Sequence, residues 1–184
     1  MEFTPTDEPP RPTLWLLIDG YNVLAPTAPP RRPDAHWLHQ ERMRLVSRLS
    51  KHLDAATRAR TCVVFDAANP PRDRPHRFII HEIEIIFAVD YPEADDLLEE
   101  LIAAHSAPKS LAVVSSDQRV QTAAKRRGSL ALDSQEWLDD LLDQHVHLAV
   151  QREVDEPPPA TDRKPDELDE ADVADWMREF GFDD

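Results

Sequence analysis

Three short runs of uninterrupted apolar residues, at 14–18, 62–65 and 111–114, constrain this chain more than anything else in it. A strand exposed on one face alternates apolar with polar residues, whereas a strand buried on both faces does not. The runs therefore predict strands of a mostly parallel sheet covered by helices on both sides. The intervening segments fit that arrangement. Residues 36–53 carry Trp37, Met43, Val46, Leu49 and Leu53 near helical spacing, and 92–105 carry Ala94, Leu97, Leu98, Leu101 and Ile102. Shorter helices are predicted over 118–127, stopped at Gly128, and over 134–148. Residues 79–89 read as one further strand of mixed character, because Glu82 and Glu84 alternate with Ile83 and Ile85. That mixture places the strand towards an edge. A last short strand is predicted at 130–132. The order β-α-β-β-α-β-α-β-α implies a three-layer α/β sandwich with right-handed crossovers.

At 184 residues the chain suits one domain with tails. Residues 1–13 hold four prolines and no apolar periodicity, which predicts a disordered lead-in to a domain over 14–150. Residues 151–184 read as an acidic linker followed by an amphipathic helix, with Val173, Trp176, Met177 and Phe180 on one face. Such a segment either captures a protein partner or docks on its own domain. The net charge of −15 argues against a nucleic-acid binder until it is divided along the chain. Residues 1–150 carry −6, whereas residues 151–184 carry −9, so most of the excess lies in the tail. No apolar run is long enough to span a bilayer, and no signal peptide is expected. The one cysteine, Cys62, excludes an internal disulfide framework and fits a reducing cytoplasm.

Chemistry enters where the strands stop. The first strand ends in Asp19, the second in Asp66, and Asp117 follows the run at 111–114. Ligands of open α/β sheets bind beyond the carboxyl ends of the strands, where strand order reverses. Asp95 and Asp96 join from the first turn of the helix at 92–105. Clustered carboxylates repel one another and are costly to desolvate, so a cation normally sits among them. Oxygen-only ligands select Mg2+ or Mn2+ over zinc, and such an ion activates water and neutralises a phosphodiester. The competing explanation is that an Asp after a strand simply caps the next helix. Asp117 is open to both readings, and Asp133, three residues before Glu136, looks like a cap.

The residues also resemble a family. Ile18-Asp19-Gly20-Tyr21-Asn22-Val23, directly after an apolar strand, looks like the opening motif of the YacP-like NYN domains, nucleases of the PIN-like superfamily. The resemblance continues in Val63-Val64-Phe65-Asp66-Ala67, in Glu84-Ile85-Ile86-Phe87 and in Glu93-Ala94-Asp95-Asp96. It ends with Ser115-Ser116-Asp117 and Gln121, and so spans about residues 14–142. It implies a PIN-like fold and a ribonuclease dependent on magnesium or manganese, with metal-site roles for Asp19, Asp66, Asp95 and Asp117. Asn22, Ser116, Asp96 and Glu93 would support them. Glu93 stands where the family usually has Thr.

Arg72, Arg74 and Arg77, in a proline-bearing loop after Asp66, and Arg119, after Asp117, are candidates for holding RNA phosphates. Tyr21 is a candidate for stacking on a base. Ordinary solvated cations and a partly buried turn tyrosine are the competing explanations. The expected function is metal-assisted hydrolysis of RNA phosphodiesters by an endoribonuclease. The alternatives are a non-catalytic RNA-binding or ribosome-associated module of the same fold and an acidic adaptor acting through its tail. A binder gains nothing from carboxylates facing phosphates, which favours the enzyme.

Overall fold

The apolar runs become the central strands. In the computed structural model, which describes residues 13–24, 35–66 and 76–149, β1 is Leu16–Asp19, β2 Thr61–Asp66, β3 Arg77–Ile80, β4 Ile83–Ala88, β5 Ala112–Val114 and β6 Leu130–Leu132. They form one six-stranded sheet in the order β3-β4-β2-β1-β5-β6, parallel except for the β3–β4 pair. Helices α1 (Gly20–Leu24), α2 (Ala35–His52), α3 (Ala55–Arg58), α4 (Ala94–Ala104), α5 (Gln118–Arg127) and α6 (Ser134–Leu142), with a 3-10 turn at Pro108–Ser110, complete the described elements. The predicted lead-in and tail helix, with Arg72 and Arg74, lie outside the described residues.

Strand alternation divides the core into two layers. Leu16, Ile18, Val63, Phe65, Ile85 and Phe87 pack against Leu45 and Leu49 of α2 and Trp137, Leu138 and Leu141 of α6. Leu17, Cys62, Val64, Ile86 and Val113 face the other way, onto Leu97, Leu98 and Ile102 of α4 and Val120 and Ala124 of α5. Helices on both faces are what strands without alternation require.

Residues 79–89 depart from the single predicted strand. They belong to a hairpin in which Ile80 pairs with Ile83 across a two-residue turn. His81 and Glu82 both take positive φ, 49° and 69°. That is the handedness a two-residue hairpin favours, and Asn-Gly or Asp-Gly normally supplies it. His-Glu gives no such warning in sequence. Arg58 of α3 holds the turn from outside, donating to Glu82 at 2.9 and 3.1 Å. The edge position expected for this strand falls to β3, while β4 is buried along its length between β3 and β2. Arg77 is correspondingly a strand residue, not a loop residue, and is ion-paired with Glu84.

Helix α6 also stops earlier than its apolar pattern suggests, at Leu142. Gln144 takes φ 65°, and the His145 amide returns to the Asp140 carbonyl at 2.8 Å, closing the last turn.

The turn after β1 admits only glycine at position 20. A Cβ there would lie 2.2 Å from Cε1 of Phe65, whose ring is itself fully buried. Gly20→Ala is therefore expected to cost about 1–3 kcal/mol through overpacking, read by denaturant unfolding. An unchanged midpoint would mean that the Phe65 ring can turn aside.

Candidate active site

β1 lies between β2 and β5, so strand order reverses at its carboxyl end. Asp19 closes β1 at that point and is only 3% exposed. Alternation puts its side chain on the Leu17 face, the side covered by α4 and α5. Three donors converge on the carboxylate: the Asn22 amide at 3.2 Å, the Asn22 side-chain amide, and Ser115 Oγ at 2.9 Å. Burial still dominates. It raises the Asp19 pKa above the usual carboxylate value, the nearby Asp117 charge adds to the rise, and the donors oppose it.

Asp117 has the double character that its sequence position left open. Its Oδ1 caps α5 by accepting from the amides of Arg119, at 2.6 Å, and Val120, at 3.2 Å. Its charge also bears on both Asp19 and Asp95. Its own amide donates to Ser115 Oγ at 3.1 Å, which makes Ser115 the link between Asp19 and Asp117.

Asp95, half-buried in the first turn of α4, has its pKa pushed up to about 6, first by burial and then by the Asp117 and Asp19 charges. Its neighbour Asp96 is differently engaged, ion-paired with Arg119. Arg119 also pairs with Glu99 and lies 3.8 Å from exposed Glu93, the residue preceding α4. The predicted phosphate contact is thus turned towards the acids of α4, and its charge partly offsets the rise at Asp95.

Asp66 lies apart from this trio along the strand. Val64, not Asp66, is level with Asp19, so Asp66 stands roughly 6–7 Å further out at about 3.3 Å per residue. The charge of Asp66 is felt at the Tyr21 hydroxyl. Tyr21 is half-buried, and its oxygen accepts from Arg42.

Among the described residues, no three His, Cys, Asp or Glu side chains are grouped closely enough to chelate a metal directly. The convergence expected of the strand-end carboxylates is thus one of charge at Asp19, Asp95 and Asp117, not a closed chelate. Their chemistry nonetheless fits a hard cation. All the donors are oxygens, and two of the three carboxyls are raised first by burial and further by neighbouring negative charge. Magnesium commonly takes only one or two carboxylates and keeps several waters.

Two residues escaped the sequence reading. Ser115, not Ser116, serves the carboxylates. Ser116 Oγ donates to Asp133 at 2.9 Å and accepts from the Ser134 amide at 3.2 Å, so it belongs to the cap of α6. Strand parity held the signal, since Ser115 is two residues beyond Val113 and Val113 shares the Leu17 face. The other is Arg42, a cation on the same helix face as Leu45, Val46 and Leu49, and buried with them.

The raised Asp95 pKa has a consequence for stability. Below about pH 4 this carboxyl is protonated in both folded and unfolded chains. Between about 4 and 6 the folded chain holds a proton that the unfolded chain has released, so this stabilising contribution is lost as pH rises through about 6. Melting temperatures of the metal-free protein from pH 4.5 to 6.5 should therefore fall less steeply in Asp95→Asn than in the wild type. Parallel profiles would contradict the assignment.

The sequence matches the YacP-like NYN domain family over residues 16–180, well beyond residue 142 where the motif resemblance stops. No curated protein matches it significantly. Among solved structures it is similar to Rae1 (YacP) from Bacillus subtilis, at 26% identity and a TM-score of 0.53, covering 71% of this chain and 74% of that one. A mutant of that protein gives 26% and 0.50, with 70% and 75% covered. The family match spans most of the chain, and the mostly parallel six-stranded sheet is the NYN/PIN-like fold of Rae1. The chain belongs to the YacP-like NYN domain family.

Proposed function

We propose that this protein is an endoribonuclease that hydrolyses RNA phosphodiesters with Mg2+ or Mn2+ at Asp19, Asp95 and Asp117, with Asp66 at the rim. The observation that carries the proposal is the strain on two carboxyls at the point where strand order reverses: burial first, and then the charge of Asp117, hold Asp19 and Asp95 above their ordinary pKa. That strain opposes ionisation of the carboxyls, and a cation among them would relieve it. An ion held by these carboxylates would supply positive charge for a phosphodiester under attack and would make a water more acidic. The chain's own groups do the rest. Asn22 and Ser115 hold Asp19 in one orientation, Asp117 is fixed by its capping bonds, and Arg119 keeps the excess negative charge at Asp95 in check. The absence of a closed chelate among the described residues favours one second reading, an RNA-binding module that keeps the fold without the reaction. No described helix is long and apolar enough to cross a membrane. With Cys62 as its one cysteine the chain cannot close an internal disulfide, which is in keeping with a reducing cytoplasm as the place of work.

The test uses a circular and a linear RNA of the same sequence, with Mn2+ or with chelator. Cleavage of both with Mn2+, and of neither with chelator, is the expected result. Cleavage of the linear RNA alone would replace the internal cut with an exonuclease, and binding without cleavage would establish the second reading.

A further inference from the structure

Helix α1 has five residues, too few to be stable by its own hydrogen bonds, so tertiary contacts must set its orientation. That orientation matters because Asn22, in α1, supplies two of the three donors on Asp19. Gly20 lies against the Phe65 ring and Val23 is buried in the core, contacts that seat the helix but hydrogen-bond it to nothing. The directional contact is Tyr21. Its hydroxyl accepts from Nε of Arg42 at 3.1 Å and from Nη2 of the same guanidinium, a two-pronged grip from α2. Arg42 is itself tightly located. It is 6% exposed, and its guanidinium carbon lies 5.4, 5.6 and 4.8 Å from the ring centres of Tyr21, Phe65 and Phe87. Phe65 in turn stacks on Phe87 at 5.7 Å and meets the Tyr21 ring edge-on at 5.5 Å. A buried charge requires compensation, and aromatic faces together with the phenol oxygen contribute to it.

We propose that Arg42 is a positioning residue for Asp19, acting through Tyr21 and the rotation of α1 on the bonds that Asn22 makes. This rests on the reading of Asp19 as a site carboxylate. Arg42 touches neither RNA nor metal in this scheme, and the side chain that shares its task is Tyr21.

The test compares Tyr21→Phe, Arg42→Met and the double variant in the full chain. Three quantities are read: hydrogen exchange of the Asn22 side-chain amide by NMR, the Mn2+ midpoint from thermal shifts, and kcat and KM for RNA cleavage. Each single variant is expected to speed Asn22 exchange, weaken the Mn2+ midpoint by roughly 10-fold and lower kcat at unchanged KM, as for residues that orient a ligand indirectly. The double variant should be no worse than the worse single, because both remove one contact. Additive effects, or unaltered Asn22 exchange in a folded Tyr21→Phe, would overturn the proposal. A raised KM at constant kcat would overturn it too, making Arg42 an RNA contact. If Arg42→Met does not fold, Tyr21→Phe decides alone. If the wild-type chain cleaves no RNA, the functional reading fails while Asn22 exchange still decides this inference.

Discussion

Asp19→Asn should abolish RNA cleavage, by a hundredfold or more on the scale of losing a preorganised transition-state contact, in a chain that stays folded. The fold survives because the replacement's costs and gains oppose each other. The carboxylate accepts from Asn22 on both oxygens and from Ser115 on one, and an amide offers a single acceptor atom, so at least one donor loses its partner at about 1–3 kcal/mol. Against that, the variant no longer holds a buried charge facing Asp117 and Asp95. The net change is expected to be on the order of 1 kcal/mol or less. Metal response is the second readout. Mn2+ should raise the melting temperature of the wild-type protein, since it binds the folded chain alone, and raise that of Asp19→Asn much less. Unchanged cleavage in the variant would remove Asp19, and with it the proposed metal site.

What the sequence disclosed, and what it hid, follows from how local each signal is. Strands without alternation marked a sheet buried on both faces, and β1, β2, β5 and β6 lie where the runs of residues 14–18, 62–65, 111–114 and 130–132 put them. The hairpin at His81 and Glu82 was hidden because its left-handed turn uses two residues that seldom adopt that conformation. α1 and α3 escaped for another reason: helices of five and four residues are too short to show a period. At the site, the strand-end carboxylates were legible from position alone, since topology delivers strand ends to one crevice. Their partners were not. Arg119, read as a phosphate contact, is paired across the α4–α5 surface, a relation that depends on how two helices pack. Strand parity turns Ser115 towards Asp19, whereas Ser116 bonds 17 positions on, at the α6 cap. Arg42 gave no signal because a cation in an apolar stripe ordinarily snorkels to solvent, and the groups that meet it, the Tyr21 hydroxyl and the rings of Phe65 and Phe87, come from other elements of the fold.

Asp95→Asn and Asp96→Asn, substitutions at adjacent residues, should differ in rate by about two orders of magnitude. Ala94, Leu97, Leu98 and Ile102 form the buried stripe of α4. At about 100° per residue, Asp96 points well away from that stripe, while Asp95 lies at its flank over the strand ends. Their surroundings differ accordingly. The Asp95 carboxyl is pushed up to about 6 by burial and by Asp117 and Asp19, a sign that it shares their field. Asp96 pairs with Arg119, which keeps Glu99 and Glu93 as partners if Asp96 is neutralised. Losing one exposed ion pair costs about 0–1 kcal/mol, so Asp96→Asn should leave stability and rate nearly unaltered. Asp95→Asn removes negative charge from the site itself, so the metal-free chain should gain stability above about pH 6 while cleavage falls about a hundredfold or more. The assay is single-turnover cleavage of RNA at saturating Mn2+, with circular dichroism to establish folding. A larger loss in Asp96→Asn would mean that the first turn of α4 presents the other carboxylate to the metal. Loss of rate in Asp95→Asn together with lower stability at high pH would instead assign Asp95 to holding α4 in place.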